Sequence, residues 1–151
     1  FALRRILHGI IRILGRVGEM NEFFAYWKET ENKYRWDTDV DGVRFSMYIP
    51  KWRVPEPYPN KIGIRIYLED EIQFYGNEYV RKDYENDDNL KFQDIIAKVE
   101  KNYYCTKTVR FDPVGVPKTW EIGSPYIPIE LMPFRDINSL IISVKWMYED
   151  V

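Results

Sequence analysis

The stretch DNLKFQDIIAKVEKNYY, residues 88–104, decides the fold class. Its large apolar residues Phe92, Ile95, Ile96, Val99 and Tyr103 recur mostly at spacings of three and four, the period that places side chains on one face of an α-helix. The acidic polar loop before it, DYENDDN at 83–89, offers several side-chain oxygens able to cap a first helical turn. Taken as a helix near 90–104, the stretch predicts an α+β domain. An antiparallel sheet would pack against this helix and against a second one at the N-terminus.

The N-terminal helix is expected over residues 3–28, where Ile6, Ile10, Ile13, Val17, Met20, Phe24 and Trp27 alternate spacings of four and three. Gly9, Gly15 and Gly18 weaken it by about 1 kcal/mol each relative to alanine, which predicts a break near Gly15–Gly18. Arg5, His8, Arg12 and Arg16 share a second face, so residues 1–18 form a basic amphipathic segment, read as part of one domain at 1–151 or as a separate arm. Such a face suits a phosphate or membrane surface, although a solvated polar side explains it more simply. The run ILHGIIRIL is too short and too polar for a membrane span. The chain is therefore expected to be soluble and cytoplasmic, and its first residue, Phe1, suggests a domain of a larger protein.

Beyond Trp36 the period changes to two. Val43, Phe45, Met47 and Ile49 alternate with Arg44, Ser46 and Tyr48, as a half-buried strand requires. The preceding DTDVDG, residues 37–42, starts like an EF-hand loop. Arg44 and Tyr48, however, stand where that loop needs a hydrophobic residue and a bidentate glutamate. The three aspartates are read instead as turn residues before the strand. Pro50, Pro55, Pro57 and Pro59 make PKWRVPEPYPNK an extended, exposed loop. Ile62–Leu68 and Ile72–Tyr75 predict a hairpin around Glu69–Glu71, TKTVRF predicts a further strand, and LIISVKWMY is strand-like with helix as its competitor.

At 151 residues, with 45% hydrophobic and 30% charged residues, the chain supports one ordered core. One cysteine, Cys105, and one histidine, His8, exclude disulfide scaffolds and zinc sites built on those residues. No cofactor or metal is expected. The aromatic share is 17%, high enough to serve stacking or interface contacts as well as a core. Net charge is −2, but by segments it runs +4 over 1–18, −4 over 19–42, +4 over 43–66, −6 over 67–100, +3 over 101–120 and −3 over 121–151.

The second and third basic blocks mix cations with rings. Lys51, Trp52, Arg53, Tyr58 and Lys61 come from the proline loop, and Tyr104, Lys107, Arg110, Lys118 and Trp120 from the later block. Cations that contact phosphates beside rings that stack on bases are what nucleic-acid recognition uses. Catalytic patterns are weak by comparison. Glu31-Asn32-Lys33 is the one match to a metal-dependent nuclease's Glu-x-Lys, and the sequence has no Walker A, GxGxxG or GxSxG motif.

The segment KIGIRIYLEDEIQFYGNEYV, residues 61–80, with the expected helix at 90–104 resembles the N-terminal DNA-binding domains of McrB-type restriction subunits. The resemblance implies a small α and β module that binds DNA, with a modified base flipped into an aromatic pocket and further domains or subunits completing the system. Trp52, Tyr58, Tyr104 and Trp120 are then the stacking candidates. The resulting expectation is a non-enzymatic DNA-binding module of a restriction or defence system. The alternatives are a protein interaction or assembly module, for instance viral, and a metal-dependent nuclease.

Overall fold

Asp41 and Gly42 turn the chain back on itself in a two-residue loop, both with positive φ, 50° and 83°. That is the type I′ geometry, whose twist matches the twist of paired strands. A computed structural model describes residues 21–73, 87–132 and 136–148. The loop joins β2 (Lys33–Val40) to β3 (Val43–Pro50), with Val40 opposite Val43. Asp37 and Asp39 lie inside β2 and not in the turn, and Asp37 binds Arg35 at 2.8 Å. Among the described residues, no group of three or more His, Cys, Asp or Glu side chains is placed to hold a metal ion.

The other strands are β1 (Asn21–Glu29), β4 (Lys61–Tyr67), β5 (Ile95–Tyr104), β6 (Thr108–Pro113), β7 (Tyr126–Pro128) and β8 (Ser139–Met147). All eight form one sheet in the order β3-β2-β1-β4-β8-β5-β6-β7, and every pairing is antiparallel. This overturns the expected α+β class. Residues 95–104 are a strand, and the only α-helix among the described residues is the five-residue α1 (Asp88–Phe92), capped by the Asp87 carboxylate at 3.2 Å from the Leu90 amide. Residues 21–28, expected to end the N-terminal helix, belong to β1, while residues 1–20 lie outside the described residues. Ile72 and Gln73 are not in a strand, and β4 pairs with β1 and β8 instead of a hairpin partner.

The alternation of each strand explains the core. Phe45, Met47 and Ile49 of β3, Ile62, Ile64 and Ile66 of β4, Ile95, Ala97 and Val99 of β5, and Val109 and Phe111 of β6 all point inward and are buried. Each large aliphatic or aromatic side chain removed from water contributes about 1.5–3 kcal/mol. Leu140, Ile142 and Val144 place β8 in the centre of the same interior. Because one face of every strand is apolar and the strands twist, the sheet curls around that face.

Curling brings its two edges together. The Gly123 amide donates to the Tyr48 carbonyl at 2.7 Å, so the segment leading into β7 closes against β3. A Cβ on Gly123 would stand 3.2 Å from the Tyr48 Cβ and 3.4 Å from its carbonyl oxygen, a close approach that suits glycine. The proline loop, expected to be exposed, folds partly inward instead: Arg53, Val54, Pro55 and Pro59 are buried, and only Glu56 to Tyr58 and Asn60 are exposed. Its Pro59 carbonyl accepts from the buried Trp36 indole at 3.0 Å, and its Pro57 carbonyl from the Tyr148 hydroxyl at 2.9 Å. No helix among the described residues is long and apolar enough to cross a membrane.

Candidate functional site

Where the two sheet edges meet, the outward side chains of both line an open cleft of about 760 Å³. Strand alternation decides which residues these are. Phe45, Met47 and Ile49 point into the core, so Arg44, Ser46 and Tyr48 face the outside of β3. On the opposite wall, Val109 and Phe111 point in and Arg110 points out, while Ile127 points in and Tyr126 points out. The β1–β2 turn adds Thr30 to Lys33 at one end, and Trp120, Gly123 and Ser124 complete the wall. The volume lies within the ordinary range for small-molecule sites.

The cleft combines positive charge with ring faces. Lys33 and Arg44 are exposed at its rim, as is Glu31, and Arg110 is partly buried in its wall. Tyr48, Trp120 and Tyr126 supply three aromatic surfaces. The Trp120 indole is fixed by donating to the Gly115 carbonyl at 3.1 Å. The Arg35 guanidinium, directly opposite Tyr48 in β2, stands 5.4 Å from the Tyr48 ring centroid.

Arg110 is the best-positioned cation. Its Nε donates to Asp112 Oδ1 at 3.0 Å, and its guanidinium carbon lies 5.6 Å from the Tyr103 ring centroid and 5.9 Å from that of Tyr126. Asp112 also accepts from Ser124 Oγ at 2.7 Å and from Asn102 Nδ2 at 2.6 Å. Burial pushes the Asp112 carboxyl up, but the hydrogen bonds from Ser124, Asn102 and Arg110 together hold it below the usual carboxylate range. The hydrogen bond from Tyr126, and then that with Arg110, lower the Tyr103 phenol. Arg110 is raised further above its already high value by Tyr103 and Asp112.

The residues expected from sequence are divided by this fold. Arg110 and Trp120 line the cleft, and Lys118 is exposed in the short 3-10 turn just before Trp120. Arg53 is withdrawn from any surface: it is 1% exposed, paired with Glu121 and donating to the carbonyls of Lys91, Gln93 and Asp94. Lys51 is held by Glu29 at 2.5 Å and lies 5.3 Å from the Tyr34 ring, and Trp52 is half-buried in the same turn. Tyr58 stacks on Tyr26 at 4.4 Å, in a cluster where burial first, then Tyr58, pushes the Tyr26 phenol up to about 12.

The remaining three lie at different ends of the sheet. Lys61 pairs with Met147 at one end of β8, and Glu100 with Ser139 at the other. Eight strand steps separate those rungs, roughly 26 Å at about 3.3 Å per residue. Tyr104 and Lys107 lie further along β5 and its turn into β6. The two basic blocks therefore meet only in part: the Arg53–Glu121 pair brings residues 51–53 against residues 118–121 beside the seam, whereas Lys61 lies at the far end of β8 from the rung of Glu100. The cleft draws instead on Lys33, Arg44, Tyr48 and Tyr126, which were not among the expected site residues. The outward alternation of Arg44, Ser46 and Tyr48 was the available signal for them. No protein-family model matches the chain, and no curated protein matches it.

Proposed function

We propose that the chain binds DNA by laying an unpaired stretch of it along the seam cleft. The observation that carries this reading is the lining itself: Lys33, Arg44 and Arg110 interleaved with Tyr48, Trp120 and Tyr126 on one outward face. Cations suit the phosphates and ring faces suit the bases, and stacking contributes about 1–3 kcal/mol per base without regard to sequence. A half-buried Trp120 held by its own indole hydrogen bond is a preformed platform, so little side-chain entropy is lost on binding. An open cleft on the outside of a rigid sheet admits a single strand or a base swung out of a duplex, whereas a stacked duplex has no free base faces to offer it. The binding role belongs to a larger restriction or defence assembly in the cytoplasm under this proposal, with the chemistry supplied by other domains or subunits.

The test is a fluorescence titration of the chain with single-stranded, duplex and mismatch-containing DNA at low and moderate salt, read from both a labelled oligonucleotide and intrinsic tryptophan emission. Single-stranded and mismatched DNA are expected to bind more tightly than perfect duplex. Trp120→Ala and Arg44→Ala should each weaken binding by roughly tenfold. Equal affinity of both variants and wild type, or no binding at low salt, would overturn the proposal.

A further inference from the structure

Asn102 is an extra residue in β5. Lys101 stands opposite Phe111 and Tyr103 opposite Arg110, so the register slips by one residue between them. Without the slip, Tyr103 would share a face with Lys101 and stand opposite Val109, on the core side of β6. A bulge re-aims the side chains beyond it. Here it turns Tyr103 outward onto Arg110, where the Tyr103 and Tyr126 hydroxyls meet at 3.1 Å and the two rings pack edge to face at 6.4 Å. The bulged Asn102 itself binds Asp112, which in turn fixes Arg110.

The result is an ordered step of two rings around one guanidinium, immediately outside the seam cleft and sharing Arg110 and Tyr126 with it. Both rings remain accessible, Tyr103 at 43% and Tyr126 at 40% exposure. A tyrosine joins a flat ring face to a polar tip, which suits contact with the planar rings of a ligand at a wet surface. Past this step, toward the β5–β6 turn, Lys107 is exposed, while Lys101 and Tyr104, opposite Phe111 and Val109, belong to the other face of the sheet. Glu100, exposed opposite Asp112, discourages an anion on the other side of the step and favours the path toward Lys107.

We infer that the bound strand continues out of the cleft across the Tyr126–Arg110–Tyr103 step, so that the ligand is a run of several nucleotides and Tyr103 is a second stacking platform. This rests on the DNA-binding reading of the cleft and adds its extent and direction. Arg110 would hold a phosphate between the base seated in the cleft and the base seated on Tyr103, with Asp112 keeping the guanidinium in place.

The experiment compares thymidine monophosphate with oligothymidylates of about two, four and eight nucleotides, lengths chosen to bracket the site sizes of single-strand binders. Affinity is expected to climb with length beyond about two nucleotides. Tyr103→Ala should lower affinity for the longest oligonucleotide roughly tenfold more than affinity for the mononucleotide, while Tyr103→Phe, which keeps the ring, should retain most of the length dependence. Length-independent binding that still requires Trp120, or wild-type length dependence in Tyr103→Ala, would overturn this inference and leave the cleft reading standing. Absence of binding at every length would overturn both.

Discussion

The Arg53 guanidinium lies 2.5 Å from the Glu121 carboxylate, across 68 residues of sequence, and the two side chains are 1% and 2% exposed. Arg53 also takes the carbonyls of Lys91, Gln93 and Asp94, so it ties the end of α1 and the start of β5 to the segment that enters the seam. Removing one partner strands the other charge in the interior. Glu121→Ala is therefore expected to destabilise the fold by about 3–5 kcal/mol, measured by denaturant unfolding. The double variant Arg53→Met, Glu121→Leu should cost less than the sum of the single changes, because it leaves no charge unpaired.

Gly42 carries a φ of 83° with open space around it, so only backbone strain opposes a side chain there. Gly42→Ala should destabilise by about 1 kcal/mol, and Asp41→Asn should be close to neutral because asparagine also accepts the left-handed region. Thermal melting of the two variants separates these outcomes. A large loss from Asp41→Asn would mean that the aspartate does more than make a turn.

The strands that could be read from sequence were those with apolar residues at every second position. Phe45, Met47 and Ile49 of β3 and Leu140, Ile142 and Val144 of β8 are buried on the face this indicates, with Ile141 buried on the other face of β8. Residues 95–104 misled for three physical reasons. The inward position between Ile95 and Val99 is filled by Ala97, a weak apolar signal. Phe92 and Ile96 are apolar but exposed, at 61% and 38%, and they completed a false helical face. Tyr103 falls out of phase because of the bulge at Asn102. The site was only partly legible because its walls come from β3 and from β6 and β7, opposite edges of the sheet that meet only when it curls.

Acid should loosen the Asp112 network. Its carboxyl titrates below its ordinary 3.8 in the folded protein because Ser124, Asn102 and Arg110 favour the ionised form against the opposing effect of burial. A depressed folded value contributes stability that is present above the unfolded value and lost as pH falls through the folded one. The melting temperature should therefore drop on acidification below about pH 4, and Asp112→Asn should flatten that dependence. Glu69, lowered by Lys98 and then Ser139, has the same sign, but its exposure makes Glu69→Gln the smaller effect.

Salt should separate the cations of the cleft from its rings. Each phosphate contact on a single strand contributes about 0.7 to the slope of log affinity against log salt. Lys33→Ala and Arg44→Ala should each flatten that slope by about this amount, whereas Trp120→Ala should weaken binding with the slope unchanged. Titrations of the three variants over a salt series give the slopes directly. Parallel lines for all of them would place the phosphates elsewhere.

The seam itself is tested at Gly123. An added Cβ would meet the Tyr48 Cβ at 3.2 Å and its carbonyl at 3.4 Å, and both atoms belong to or hang directly from the β3 backbone. A strand paired along its whole length to β2 cannot yield as a flexible side-chain end would. The 2.7 Å hydrogen bond from the Gly123 amide should therefore lengthen, and Gly123→Ala should cost about 1–3 kcal/mol through overpacking. Because Tyr48 and Gly123 both line the cleft, the same change should weaken oligonucleotide binding even under conditions where the variant is fully folded. Chemical denaturation together with the binding titration distinguishes the cases: lost stability with unchanged affinity would show that the edges can part without disturbing the cleft.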